Sequence, residues 1–158
     1  MADVIFRSAT RGDLPAIVAL LADDVLGQTR ETNADTLDAA YLVAFERILA
    51  NPNDDLVVAD LAGRVVGCLQ LTFLSGLSMR GTWRGQVESV RVASDLRGAG
   101  IGRSMMLWVI EACRAKGCGL LQLTTNTARI DAQRFYVSLG FKASHVGMKL
   151  DLAGSTTG

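Results

Sequence analysis

The chain has 158 residues, equal numbers of basic and acidic side chains (16 each) and a sequence pI near 6.6. That length predicts one domain, spanning residues 1–150 with a short tail at 151–158, and enough chain to bury a core. The charge balance excludes the basic stripe of a nucleic-acid binder and the acidic tail that would seek a basic partner.

The N-terminus, Met1-Ala2-Asp3-Val4-Ile5-Phe6-Arg7, lacks the long apolar centre of a signal peptide, and no run is long enough to span a bilayer. The expectation is a cytoplasmic protein with neither nucleic acid nor membrane as partner. Val4–Arg7 reads as a first strand. Thr10-x-x-Asp13 is a helix-capping pair, with Pro15 tolerated in the first turn ahead of Ile17, Val18, Leu20 and Leu21. Residues 28–33 are polar and loop-like. A second helix follows through Leu37, Tyr41, Phe45 and Ile48 and ends at Asn51-Pro52. Asp23, Asp24, Arg30 and Glu31 are either solvated surface charges or, for the acids, groups that attract a cationic amine.

Leu56–Asp60, a turn at Gly63 and Val65–Phe73 predict an antiparallel hairpin. Residues 75–81 form a connecting loop, and Thr82-Trp83-Arg84 begins another strand. Three or four antiparallel strands therefore precede the stretch Val87-Glu88-Ser89-Val90-Arg91-Val92. An unbroken strand there puts Glu88, Val90 and Val92 on one face and Ser89 and Arg91 on the other.

Next comes Arg97-Gly98-Ala99-Gly100-Ile101-Gly102-Arg103, a glycine-rich loop opening a helix. Ile101, Met105, Trp108, Val109 and Ala112 recur at the spacing of one buried helix face. Glycines let a ligand approach the main chain, and the first helical N–H groups lie at the positive end of the helix dipole. This is a place to hold a phosphate or a plain strand-to-helix turn. A Walker loop is excluded, because Gly102 is followed by Arg103-Ser104 with no lysine. A dinucleotide fingerprint fails on glycine spacing.

The pattern Arg-x-x-Gly-x-Gly, directly after Val90-Arg91-Val92, resembles motif A of the GCN5-related N-acetyltransferases (GNAT). Ala132-x-x-Phe135-Tyr136-x-x-Leu139-Gly140-Phe141 resembles motif B of the same family. The similarity runs from about Ile5 to Leu150. It implies a mixed α/β domain whose mostly antiparallel sheet contains a parallel strand pair, splayed to admit coenzyme A.

By resemblance, Arg97, Gly98, Ala99, Gly100, Ile101, Gly102 and Arg103 cradle the pyrophosphate of acetyl-CoA. Val90, Arg91 and Val92 meet the pantetheine arm, and the Val90 N–H steadies the thioester oxygen. Glu88 stands where many members place a general base; the other reading is a strand glutamate facing solvent or pairing with Arg84 or Arg91. Tyr136 implies an acid for the leaving thiolate, as against a helix anchor in the core. Phe135 packs under the cofactor or in the core. Asn126 matches a position that often touches cofactor. Arg129 replaces a common asparagine and either reaches a phosphate or stays exposed.

Gly117 predicts the helix stop near Lys116. Leu120–Thr125 predicts a parallel strand and the motif-B helix begins near Ile130. Lys142 to Leu150 reads as a last strand, within which His145 is structural. Residues 151–158 are expected to be disordered. Cys68, Cys113 and Cys118 read as small buried hydrophobes, so direct amine attack in a ternary complex needs neither a cysteine nucleophile nor a metal. The acceptor is a small-molecule or peptide amine, and a homodimer through an edge strand or the last strands is open. The alternative function is a coenzyme A-binding sensor without turnover.

Overall fold

The structure, a computed structural model, describes residues 3–23, 26–31 and 37–154, with only the backbone of Thr29 and Arg30. Expectations placed on Asp24, the Arg30 side chain, Thr32, Asn33 and the last four residues lie outside the described residues. The chain divides into two compact units, Met1–Leu123 and Thr124–Gly158.

The first unit is built on one five-stranded sheet: β1 (Val4–Ser8), β2 (Asp54–Leu61), β3 (Arg64–Leu74), β4 (Trp83–Val92) and β5 (Cys118–Leu123). Spatial order follows chain order. β1 to β4 are antiparallel neighbours, and β5 returns parallel to β4. Trp83 to Val92 is continuous, so three strands precede β4. β5 starts at Cys118, two residues earlier than the apolar run suggests, because the helix before it ends on Gly117 and turns at once.

Helices α1 (Leu14–Ala22), α2 (Ala39–Ala50) and α3 (Ile101–Lys116) belong to the same unit. Thr10 and Asp13 do cap the entry to α1: the Thr10 N–H donates to Asp13 Oδ2 at 2.7 Å. Asp38 caps α2 by accepting from Ala40 N at 2.9 Å. Gly117 closes α3 in the left-handed region (φ 84°), where its N–H reaches the Cys113 and Arg114 carbonyls. Gly27–Arg30, in the segment expected to be a loop, makes one helical turn.

Two close approaches fix α3 on the sheet. A Cβ on Gly67 would lie 2.9 Å from Met105 Sδ and 3.0 Å from the Arg91 carbonyl, and one on Gly85 would collide with Cys113 Sγ. Phe6 meets Trp108 of α3 on the same face, with ring centroids 6.2 Å apart. Arg7, the next residue of β1, points the other way and bonds Asp13 at the head of α1. α1 and α3 therefore cover opposite faces. Leu69, Leu71, Val87, Met105, Met106 and Val109 are fully buried in the resulting core. Each contributes about 1.5–3 kcal/mol relative to exposure.

In the second unit, α4 (Ile130–Ser138) carries motif B. It stops at Gly140 (φ 98°), with Phe141 N donating to Tyr136 O at 3.1 Å and Gly140 N to Val137 O at 3.0 Å. This double closure is the glycine exit the Leu-Gly-Phe sequence predicts. The expected last strand is a correction. Residues 142–150 pair with no strand, and Val146, Met148 and Leu150 are 88%, 90% and 83% exposed. Alternation supplies only a strand's side-chain pattern; without a neighbouring backbone to bond, no ladder forms.

Candidate active site

β4 is paired on both sides only as far as Val87, which sits opposite Leu123 of β5. From Glu88 to Val92 it keeps β3 on one side and, among the described residues, pairs with no strand on the other. This opening in a parallel pair follows from β5 ending at Leu123. It leaves main-chain groups of Glu88–Val92 without a second ladder.

A bulge falls in the same stretch. Gln70 opposes Glu88 and Cys68 opposes Arg91, so Leu69 faces both Ser89 and Val90. Ser89 takes the left-handed conformation (φ 56°), and Cys68 Sγ donates to its carbonyl at 3.8 Å. The extra residue overturns the expectation of unbroken alternation. Gln70 and Cys68 share a face, so Glu88 and Arg91 share it too, while Val92, opposite Gly67, turns toward the α3 side. Arg91 Nη1 donates to the Val90 carbonyl at 2.9 Å. Glu88 is exposed and, among the described residues, forms no ion pair.

β4 then leads into the glycine loop. Gly98 and Gly100 have φ of 84° and 86°, and a Cβ at either would meet nothing within 4 Å. Glycine is required here by backbone conformation, and the space over it is open. Gly100 is the N-cap of α3 and no side chain caps the helix. Its first N–H groups face an open glycine surface, which fits a pyrophosphate. Ile101 is buried in the core, so its main chain alone is available to a ligand; Arg103 is exposed. Arg97 bonds elsewhere: Nη2 donates to the Asp23 carbonyl at 3.1 Å and lies 3.8 Å from Asp23 Oδ2.

A groove of about 1080 Å³ lies between α1 and the segments at Gly63–Val65 and Ala93–Asp95. Asp13, Asp23 and Glu31 line it, but Glu88 and Val90–Val92 do not. Glu31 accepts a bond from the Tyr41 hydroxyl at 2.6 Å. Of the acidic residues expected to attract a cationic amine, Asp23 and Glu31 line this groove.

One polar row escaped the sequence reading. Arg84, Gln86 and Glu88 alternate with Gly85 and Val87, which face α3, and so share the opposite face. Arg84 Nη1 donates to Gln122 Oε1 at 3.4 Å, and Gln122 Nε2 donates to Gln86 Oε1 at 2.9 Å. The period-two run of polar residues within an apolar strand was the available signal.

In the second unit, Asn126 Oδ1 accepts from Ala128 N at 2.9 Å and shapes the turn before α4, while Arg129 is its N-cap. Tyr136 is half-buried between Phe135 and Phe141, at centroid separations of 5.1 and 5.7 Å. Burial pushes the Cys68 and Cys113 thiols up to about 12, the neighbouring Cys118 adding to the effect at Cys113. Neither supplies a thiolate near neutral pH.

An opened parallel strand pair leading into a glycine loop at a helix start is the arrangement that the resemblance to the GNAT family implies. The chain belongs to the Acetyltransferase (GNAT) family, whose family model matches residues 19–141. It is 33% identical over 140 residues to the aminoalkylphosphonate N-acetyltransferase of Salmonella typhimurium, covering 88% of this chain and 85% of that one. It is 31% identical over 146 residues to an L-methionine sulfoximine/L-methionine sulfone acetyltransferase of Pseudomonas aeruginosa, covering 87% and 80%. A solved structure described as a transcriptional regulator from Bacillus halodurans is 47% identical, with a TM-score of 0.92 over 94% of this chain and 99% of that one. The chain is an acetyltransferase.

Proposed function

We propose that the protein transfers the acetyl group of acetyl-CoA to a primary amine by direct attack in a ternary complex. The observation that carries this is the opening of β4 from β5 at Val87, with the Glu88 carboxylate beside it and the glycine loop beyond. Acetyl-CoA supplies the activated thioester. Gly98, Gly100 and the first amides of α3 hold its pyrophosphate, with Ala99, Gly102 and Arg103 in the same cradle. The side of β4 at Val90–Val92 that faces away from β3 bonds the pantetheine arm.

Glu88 takes the proton that an incoming ammonium must lose before attack. The Val90 N–H receives the charge that develops on the thioester oxygen, a contribution of about 3–4 kcal/mol for such preorganised donors. Tyr136 protonates the departing thiolate. Phe135, Asn126 and Arg129 complete the cofactor side. The acceptors for which the two relatives are named, an aminoalkylphosphonate and an amino-acid analogue, make a small-molecule amine the favoured class over a peptide. A cytoplasmic enzyme fits this chemistry.

Calorimetric titration with acetyl-CoA tests the reading, beside the variant Gly100→Glu checked for folding by circular dichroism. Micromolar binding by the native protein, lost in the folded variant, is expected. Absence of binding to the native protein overturns the proposal. A second reading, a coenzyme A sensor without turnover, draws support from the 47% identical relative described as a transcriptional regulator. The enzyme reading is favoured because both a free carboxylate and the motif-B tyrosine are present.

The partner we infer for residues 142–150 is a second copy of this chain. Among the described residues of Thr124–Gly158 none is buried, and a piece that short does not hold a core alone. Its alternating Val146, Met148 and Leu150 have the pattern of a strand, and β5 is the last strand of the sheet, with no further strand on it among the described residues. Reciprocal pairing of this segment with the β5 edge of a twofold-related copy satisfies both.

A further inference from the structure

We propose that Arg84 is a specificity-determining residue that holds an anionic group of the acceptor, so that the acceptor is a compact amine bearing an anion a few bonds from its nitrogen. The inference rests on the acetyl-transfer reading, which puts the reacting nitrogen at Glu88.

The face that β4 turns away from α3 carries a polar floor where a sheet face usually buries apolar side chains. Glu88 stands opposite Gln70, and Gln86 stands between Thr72 on β3 and Gln122 on β5. Gln70, Thr72, Gln86 and Gln122 are all half-exposed, as is Arg84 at the end of the row. Such a strip contributes little to a core. Its use is to meet water or a polar ligand.

Two arginines of β4 share this face: Arg91 donates to the Val90 carbonyl, and Arg84 stands at the other end of the row. Among the described residues it has no carboxylate within ion-pair distance, although it is half-buried. Its hydrogen bond to Gln122 is long at 3.4 Å and goes to a neutral oxygen, so most of its five donors are uncommitted. The Gln122 amide is held in turn by Gln86 at 2.9 Å, which fixes the oxygen that Arg84 reaches. Gln122 lies in register with Gln86, so Arg84 and Glu88 flank the Gln86–Gln122 pair on one face. Gln86 and Glu88 are one pleat, about 6.6 Å, apart along the strand.

A carboxylate and a guanidinium on one face of the same strand complement an ammonium and an anion joined by a short chain. A planar guanidinium binds phosphonate or carboxylate through two parallel bonds, which an amine without an anionic group cannot match. The long, neutral Gln122 contact is the one such a ligand displaces at little cost.

Calorimetry decides it, with the protein titrated in the presence and absence of coenzyme A. The probes are 2-aminoethylphosphonate and ethylamine, with Arg84→Gln and Arg84→Lys beside the native protein. The native protein should bind the phosphonate 10- to 100-fold more tightly than ethylamine. Arg84→Gln should bring that ratio close to one, and Arg84→Lys should restore part of it. An unchanged ratio in Arg84→Gln, equal affinity of the native protein for both probes, or no binding of either overturns the proposal. Thiol release from acetyl-CoA separates the two readings. Turnover of ethylamine as readily as the phosphonate sinks only the role of Arg84, whereas failure to bind acetyl-CoA sinks acetyl transfer itself.

Discussion

At neutral pH an alkylamine is almost wholly ammonium, so the rate of acetyl transfer depends on a group that removes its proton. Glu88 is the carboxylate at the strand opening, and replacing it by glutamine keeps its shape while removing its basicity. Glu88→Gln should lower kcat/KM about 100-fold or more at pH 7 and leave acetyl-CoA affinity within about twofold. The deficit should shrink as pH rises and free amine accumulates. Tyr136→Phe should instead lower kcat with binding of both substrates retained. Steady-state kinetics across pH 6–10, with calorimetry on the same variants, checks both. A sensor would show no turnover in any of the forms.

The sequence made Glu88 legible through its place before the glycine loop, and Tyr136 through motif B. Arg84 was not legible in that way. Its role depends on Gln122, which is 38 positions away and becomes a neighbour only when β5 returns parallel to β4.

Among the elements, α1 shows how a local cap becomes a tertiary joint. Arg7 donates from Nη1 to Asp13 Oδ2 at 2.7 Å and from Nη2 to Asp13 Oδ1 at 3.0 Å. It also reaches Asp60 Oδ2 through Nε and Nη2 at 3.1 and 3.0 Å. One guanidinium so ties β1, β2 and the head of α1. The Arg7 bonds hold the Asp13 carboxyl at about 2, below its ordinary 3.8.

A carboxyl lowered in the folded state adds stability that is present above its unfolded pKa and lost as pH falls through the folded one. The window is therefore pH 4 down to 2, and the contribution is about 2 kcal/mol. Asp13→Asn should lower the midpoint of thermal unfolding by about 4–8 °C at pH 7, with the gap closing below pH 4. Calorimetric scans of both proteins from pH 7 to pH 2.5 check it. An equal gap at all pH values would mean that packing, not charge, is what the substitution removes. Thr10-x-x-Asp13 announced the cap; Arg7 and Asp60 could not be added to it from sequence, because only the β1–β2 register brings them together.

At the scale of the molecule, two features of the described residues, a second unit with none of them buried and a β5 with no strand on its outer edge, lead to one expectation about assembly. Size-exclusion chromatography with light scattering should give a dimer at micromolar concentration. Val146→Lys with Met148→Lys should shift it toward monomer by charging the strand that pairs. A native protein monomeric throughout the concentration range would overturn the second-copy reading and leave the segment to pair within its own chain.

The sequence alone determined the order of elements, because hydrophobic period, caps and glycine stops are local. Val57-Val58, the Gly63 turn, the α3 stripe and the Gly117 and Gly140 exits all act within a few residues of themselves. It also determined the family, through two glycine-bearing motifs whose spacing is a property of the chain. The tertiary structure decided what depends on which backbone lies alongside. It decided that β5 stops pairing at Leu123, that the Ser89 bulge moves Arg91 onto the face of Glu88, and that Arg84 joins a polar floor. It also left residues 142–150 without a ladder despite their strand-like alternation. Hydrogen-bonded register is a relation between distant segments, and a side-chain pattern in one of them does not contain it.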